Sequence, residues 1–313
     1  MPQRPPATAL RLGSRGSALA RAQAETMRRA LAERCGIATE LVIVTTSGDR
    51  IQDRPLADAG GKGLFTKELE AALLSGEIDL AVHSMKDVPV QLPAGLTIAA
   101  TPVREDPRDA FLSREGFTIE TLPRGARIGT SSVRRAAQVK RARQDLSVVA
   151  LRGNVDTRLR KLDAGEIDGL LLALAGLRRL NCDGRVTAAL PSSQWLPALS
   201  QGALGIEMRE HDDAIAAIRG QLNHTATEVA LACERAFQEA LDGSCRTPIA
   251  GLATFEEPGV LTFAGEVLAP DGSDHVATQF AKSLGADPVR EARDAGRDAA
   301  NGVKARARAW LVV

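Results

Sequence analysis

Two short motifs occur twice in this chain, in the same order, and they constrain its fold more than any other feature. Arg11-Leu-Gly-Ser14 returns as Arg127-Ile-Gly-Thr130, and Gly76-Glu-Ile-Asp79 returns as Gly165-Glu-Ile-Asp168. Each first motif closes an apolar run before a helical stretch. Each second motif follows an amphipathic helix and leads into another apolar run. Repetition in a fixed order predicts two similarly built α/β bodies, with a cleft between them as the expected ligand site.

The surrounding elements follow from periodicity. A strand is expected at Leu10–Leu12, then a helix from about Ala18 to Glu33 whose Leu19, Ala22, Met27, Ala30 and Leu31 share a face. Glu40–Thr45 reads as a buried strand, and Ser47 to Lys62 as a polar loop long enough to be a lid. A helix at Thr66–Leu74 ends at Gly76, and a strand follows at Ile78–Val82. A helix at Val155–Leu162 and a strand at Ile167–Leu172 repeat the pattern, which predicts mostly parallel sheets. From about Asn223 the order changes. A helix (Ala226–Leu241) precedes strands Ile249–Phe255, Val260–Leu268 and His275–Phe280, with Pro270-Asp-Gly272 as a hairpin turn and a last helix at Pro288–Ala309. This is a small α+β domain with an antiparallel sheet.

Charge is unevenly spread. The 313 residues carry 40 basic and 39 acidic side chains, yet Arg124 to Lys161 holds eleven basic residues against Asp145 and Asp156 alone. Arg134, Arg135, Arg152 and Arg158 fall at strand-to-helix junctions beside Thr130, Ser131 and Ser132, where unpaired N–H groups and guanidinium forks suit carboxylate or phosphate. Lys140, Arg141, Arg143, Arg160 and Lys161 read instead as a solvated helix face. Aromatics make up only 3% of the chain, with no Tyr, and none lies in the basic stretch, which argues against base stacking and nucleic acid. A small polycarboxylate or phosphate fits better.

Two further segments carry chemistry. His83-Ser-Met-Lys-Asp87-Val-Pro89 follows a strand, at the end where α/β sheets gather ligands. Asp87 beside Lys86 can stay ionised and stabilise a cation or move protons; the alternative is an exposed Lys–Asp pair in a loop. Asp242-Gly-Ser-Cys245-Arg-Thr-Pro248 puts a thiol next to a cation in a tight turn, which favours the nucleophilic thiolate, with a purely structural turn as the alternative. Cys233 instead shares a helical face with Val229, Ala230, Ala236 and Phe237 and belongs to the core. The four cysteines read as free thiols. Walker A, G-x-G-x-x-G and metal-ligand spacings are missing, so neither nucleotide nor metal is expected. No apolar run approaches the ~18–20 residues of a membrane span. The first nine residues carry no apolar signal-like stretch, so the cytoplasm is the expected compartment.

Gly60-Gly-Lys-Gly-Leu-Phe65, Ala81-Val-His-Ser-Met-Lys-Asp-Val-Pro-Val90, Arg104-Glu-Asp-Pro-Arg-Asp-Ala-Phe111, Gly129-Thr-Ser-Ser-Val-Arg-Arg135, Leu151-Arg-Gly-Asn-Val155, Ser200-Gln-Gly-Ala203 and Gly243-Ser-Cys-Arg-Thr-Pro-Ile249 together resemble the porphobilinogen deaminase family. The resemblance implies two periplasmic-binding-protein-like (type II) α/β domains with a smaller C-terminal α+β domain: 1–102 with 203–221, 103–202, and 222–313. It implies a transferase that joins four porphobilinogen molecules head to tail, with release of ammonia, on a dipyrromethane cofactor held by a thioether to Cys245. Asp87 takes the catalytic position. Lys86, Ser84, Thr130, Ser132, Arg134, Arg135, Asp49 and Gln201 match cofactor-binding positions, and Arg15, Ser17, Lys62, Arg152, Arg158 and Arg179 substrate-binding ones. Asp58 stands where many members carry a lysine. A monomer without nucleic-acid or membrane partners is expected. A non-catalytic anion-binding module and an RNA-binding protein are the competing readings, and both leave Cys245 and Asp87 without a task.

Overall fold

The computed structural model describes residues 9–50, 63–241, 247–256 and 259–311. The chain first forms β1 (Leu10–Ser14), α1 (Ala18–Cys35), β2 (Thr39–Ile43), α2 (Ser47–Arg50), α3 (Lys67–Ser75), β3 (Leu80–Ser84) and β4 (Leu96–Ala100). There follow β5 (Asp109–Ser113), β6 (Arg127–Gly129), α4 (Val133–Ala142), β7 (Ser147–Val149), α5 (Val155–Asp163), β8 (Gly169–Ala173), α6 (Leu174–Arg179) and β9 (Ala188–Ala189). The remainder contributes β10 (Leu204–Arg209), α7 (Ala214–Leu222), α8 (Thr225–Ala240), β11 (Ile249–Glu256), β12 (Val260–Leu268), β13 (His275–Ser283) and α9 (Pro288–Ala307).

These elements form two compact units. Among the described residues, the first gathers the chain up to residue 50, 63–103 and 204–224; the second takes 104–203 and the chain from Thr225 onward. The first holds a five-stranded sheet in the order β2-β1-β3-β10-β4. The second holds another, β7-β6-β8-β5-β9, and a three-stranded antiparallel sheet, β11-β12-β13. The expectation of mostly parallel sheets needs correction. Only β2-β1-β3 and β7-β6-β8 run parallel, while β10 and β5 pair antiparallel with both neighbours. Neither β10 nor β5 enters through a strand–helix–strand crossover from its neighbour, so nothing forces parallel pairing there.

The repeated motifs turn out to grip each other. In the first unit the Asp79 carboxylate accepts from the Arg11 backbone N–H (2.8 Å), Nε (3.1 Å) and Nη2 (3.0 Å), while the Asp79 N–H donates to the Arg11 carbonyl at 2.9 Å. In the second unit Asp168 accepts from the Arg127 N–H at 2.7 Å and its N–H donates back to the Arg127 carbonyl at 2.8 Å. Gly76 and Gly165, which open the second motif, have φ of 75° and 71°, the left-handed geometry that a helix exit requires and glycine adopts without strain.

Both faces of each five-stranded sheet are covered. Along β8, Leu170 and Leu172 pack with Leu159 and Leu177 on one side, and Leu171 packs with Phe111 and Trp195 on the other, the period-two alternation of a strand buried on both faces. Along β3, Leu80 and Val82 face α1 and α7, while Ala81 faces α3. In the last part of the chain, Cys233, Phe237 and Phe263 are buried with Ala292 and Val303 of α9. Cys35, Cys182 and Cys233 are free thiols.

Two expectations about the first unit also change. β2 lies at the sheet edge rather than inside it, with Leu41 and Ile43 both more than a third exposed. The buried face of α1 is Gln23, Ala24, Met27 and Leu31; Leu19, Ala22 and Ala30 lie at its margin. No helix among the described residues is long and apolar enough to cross a membrane, and no group of three His, Cys, Asp or Glu there could hold a metal.

Candidate active site

In the first unit, β1 delivers Arg15 directly after its last residue. The guanidinium makes a two-pronged ion pair with Asp49 of α2 (Nε–Oδ2 3.2 Å, Nη2–Oδ1 2.5 Å) and lies 4.0 Å over the Phe65 ring. Burial works against ionisation of Asp49, but Arg15 and the Thr46 hydroxyl (2.8 Å) outweigh it and hold the carboxyl below its ordinary range. Ser17 caps α1 by accepting from the Ala20 N–H at 3.3 Å. Ser84 ends β3 and receives the Gln23 amide at 3.0 Å. The 3-10 turn Met85–Asp87 follows, with Met85 buried, Lys86 exposed and Asp87 half-buried. It stops at Val88, whose extended backbone is what the following Pro89 requires.

In the second unit the basic cluster is organised by an acid that sequence reasoning passed over. Asp109, fully buried at the start of β5, accepts from Arg134 Nη1 (2.7 Å), Arg135 Nη2 (2.7 Å) and Gln201 Nε2 (2.8 Å). Burial opposes its ionisation, yet the two arginines hold it far below the usual carboxylate range. Asp109 belongs to the quoted motif Arg104-Glu-Asp-Pro-Arg-Asp109, but its partners lie 25 and 26 positions away and no local pattern joins them.

The hydroxyls at the start of α4 are engaged within the protein. Thr130 Oγ1 accepts from the Ser132 N–H at 3.1 Å, Ser131 donates to the Leu151 carbonyl at 2.6 Å, and Ser132 caps the helix through the Arg135 N–H at 3.4 Å. Arg158 differs from its neighbours. Its Nε donates to the Gly153 carbonyl at 2.9 Å, and its pKa is pushed down to about 10 by burial and by the like charges of Arg135 and Arg152. Arg179 donates to the Gly202 carbonyl at 2.7 Å, and burial lowers its pKa with partial compensation from Glu105.

Five of the eleven basic residues in that stretch are therefore met by acids and are not free charge. Arg127 pairs with Asp168, Arg134 and Arg135 with Asp109, Arg141 with Glu266, and Arg143 with Asp145. Three of those four acids lie outside the basic stretch, which is why a local count overstated it. Lys140, Arg141 and Arg143, expected on a solvated face, instead clamp carbonyls and acids around α4. Cys245, Lys62, Asp58 and most of the expected lid lie outside the described residues.

Two family models match the chain: "Porphobilinogen deaminase, dipyromethane cofactor binding domain" over residues 10–217, and "Porphobilinogen deaminase, C-terminal domain" over residues 229–305. A porphobilinogen deaminase from Nitrobacter hamburgensis is 50% identical over 292 residues, covering 90% of this chain and 92% of that one. A chloroplastic porphobilinogen deaminase from Pisum sativum is 48% identical over 296 residues, covering 92% and 80%. Among solved structures, a periplasmic substrate-binding protein of a transporter from Coxiella burnetii is 12% identical with a TM-score of 0.42, covering 67% of this chain and 91% of that one.

Two five-stranded α/β sheets with an antiparallel C-terminal sheet, matched throughout by models of a cofactor-bearing deaminase, define an enzyme of tetrapyrrole synthesis. The chain belongs to the porphobilinogen deaminase family. That membership sets aside the binding-module and RNA-binding readings.

Proposed function

We propose that this chain, acting as a cytoplasmic monomer, condenses four porphobilinogen molecules head to tail into the linear tetrapyrrole hydroxymethylbilane on a dipyrromethane primer joined to Cys245 by a thioether. Each pyrrole ring of such a primer carries two carboxylates, so it needs donors whose charge is not already met by protein acids. Arg158 fits that need, because the charges acting on it are the cations Arg135 and Arg152. Arg134, although its Nη1 is paired with Asp109, keeps a buried Nε that has no hydrogen-bond partner among the described residues. The primer, when bound, would supply the pyrrole carbon to which the first unit is joined, and each later unit joins the ring added before it.

Each addition breaks the C–N bond of the substrate's aminomethyl group, forms one C–C bond, and moves one ring proton away as ammonia leaves; release of the finished chain consumes one water, whose hydroxyl becomes the product's hydroxymethyl group. In this reading the protonated Asp87 carboxyl gives its proton to the departing amine, and the carboxylate so formed offsets the transient positive charge on the substrate and takes up the proton lost from the ring. Arg15, Ser17, Arg152 and Arg179 orient the substrate carboxylates, and Lys86 and Gln201 those of the primer. An incoming carboxylate competes with Asp49 for Arg15, whose stacking on Phe65 keeps the guanidinium plane fixed in the meantime.

The observation that carries this reading is Arg158, a guanidinium whose charge the fold destabilises and an anion would restore. The test is intact mass of the protein produced with porphobilinogen supplied, compared with Cys245→Ser made alongside. Wild type should carry the added mass of two pyrrole units, and the variant none. Equal adduct-free masses would refute the covalent primer.

A further inference from the structure

β3 leads directly into the turn that ends at Asp87, and the three residues before the turn's lysine are each pinned from a different direction. Ser84 receives Gln23 from α1. Met85 lies over Gly205 of β10, where a Cβ would meet its sulfur at 2.3 Å, so any larger residue there would force Met85 to shift. His83 points to the opposite side of the sheet from Ser84, as strand alternation requires, and its Nε2 meets Glu207 Oε2 of β10 at 2.8 Å. His83 and Glu207 are both buried. In register, Gly205 stands opposite His83 and Glu207 opposite Ala81, which makes the pair a diagonal tie across the two strands.

A third ionisable side chain shares the spot. Glu70 lies on α3, which packs against β3 and β10, and is itself buried. One oxygen of Glu70 (Oε1) and one of Glu207 (Oε1) have no hydrogen-bond partner among the described residues. Two buried carboxyl groups on packed elements, each with an oxygen unpartnered among the described residues, are costly to hold charged together. The reaction proposed above assigns His83, Glu70 and Glu207 no part.

We propose that Glu207 is a positioning residue for Asp87, fixing the end of β3 through His83. This rests on Asp87 acting in the proposed reaction. Burial raises the Glu70 carboxyl above its ordinary value; the Glu207 charge adds to the rise, while Thr66, His83 and Lys67 oppose it. Those are the charged and polar groups that face it from α3, β3 and β10. The neighbouring β4 contributes Leu96–Ala100, which contains nothing titratable.

The experiment uses holoenzyme carrying its primer, in wild type, Glu70→Gln, Glu207→Gln and His83→Gln. Glu207→Gln should lower kcat for ammonia release by about tenfold to a hundredfold, the cost of a small misplacement of a catalytic group, with KM for porphobilinogen within twofold. His83→Gln cuts the same bond from the other side and should give the same kcat-selective loss, so it serves if Glu207→Gln does not fold. Glu70→Gln replaces an acid with an amide of nearly the same shape outside the Glu207–His83 bond, and should keep kcat within twofold.

A second readout is independent of turnover. A carboxyl whose folded pKa is raised stabilises the fold below its unfolded pKa and loses that contribution as pH rises through the folded value. Wild type should therefore lose stability to urea relative to Glu70→Gln as pH is raised above the ordinary carboxylate range. Full kcat in folded Glu207→Gln, or a Glu70→Gln variant as impaired as Glu207→Gln, would overturn the assignment. Wild type that releases no ammonia would refute the reaction instead, a separate outcome.

Discussion

Asp109→Asn keeps the shape of the side chain and removes the charge that holds two buried guanidinium groups. Wild-type Asp109 accepts two arginine bonds at 2.7 Å and a third arginine bond, from Arg135 Nε, at 3.2 Å, none of them accessible to water. Removing one partner of a buried ion pair costs about 3–5 kcal/mol, chiefly because the charge left behind stays desolvated. At roughly 2–4 °C per kcal/mol for a body of about 150–250 residues, melting of the second unit should fall by about 6–20 °C.

The pH dependence follows from the sign of the shift. The folded carboxyl is depressed, so its stabilisation is present above the unfolded value of about 3.9 and is lost as pH falls toward the folded one. Thermal unfolding followed by circular dichroism at pH 7, and at steps down to pH 3, measures both effects. Wild type should lose stability steeply below about pH 4, and the variant should lack that component. A melting point within about 2 °C of wild type, or an unchanged acid limb, would show that Asp109 is not the counter-charge described here.

Two more outcomes are expected. Arg158→Met removes a guanidinium that its neighbours repel, so KM for porphobilinogen should rise about tenfold or more while the melting point holds or increases; steady-state ammonia release with a thermal melt checks this, and a clear loss of stability would contradict it. Asp79→Asn and Asp168→Asn cut the same motif pair in two settings, with the Asp79 side chain 3% exposed and that of Asp168 38%. The first should cost about 3–5 kcal/mol and the second at most about 1 kcal/mol by urea unfolding, and equal losses would refute burial as the deciding factor.

What could be read from the sequence was whatever depends on near neighbours. The bounds of β12 and the helix end at Gly76 follow from residues within one turn or one strand, and Cys233 follows from helical spacing. The repeated motifs were legible as repeats, but their mutual grip was not, because Arg11 and Asp79 are 68 positions apart. β2 looked buried because its residues are apolar. Its place at a sheet edge depends on which strands pair, and composition does not encode that. The basic stretch could be located but not its net field, since Asp109, Asp168 and Glu266 reach it from elsewhere. Phe65 was part of a quoted motif, and its contact with Arg15 required β1 and the start of α3 to meet in space.

The place of β10 between β3 and β4 also sets an order of assembly in time. β3 and β4 leave the ribosome together, yet the strand that lies between them is made more than a hundred residues later. Until it arrives, neither can complete its hydrogen-bond ladder, and such unpaired edges join whatever strand they meet. All five strands of the other mixed sheet are synthesised in that interval. A nascent chain can therefore close that sheet while the earlier one waits, so the sheet begun first is the later of the two to be finished.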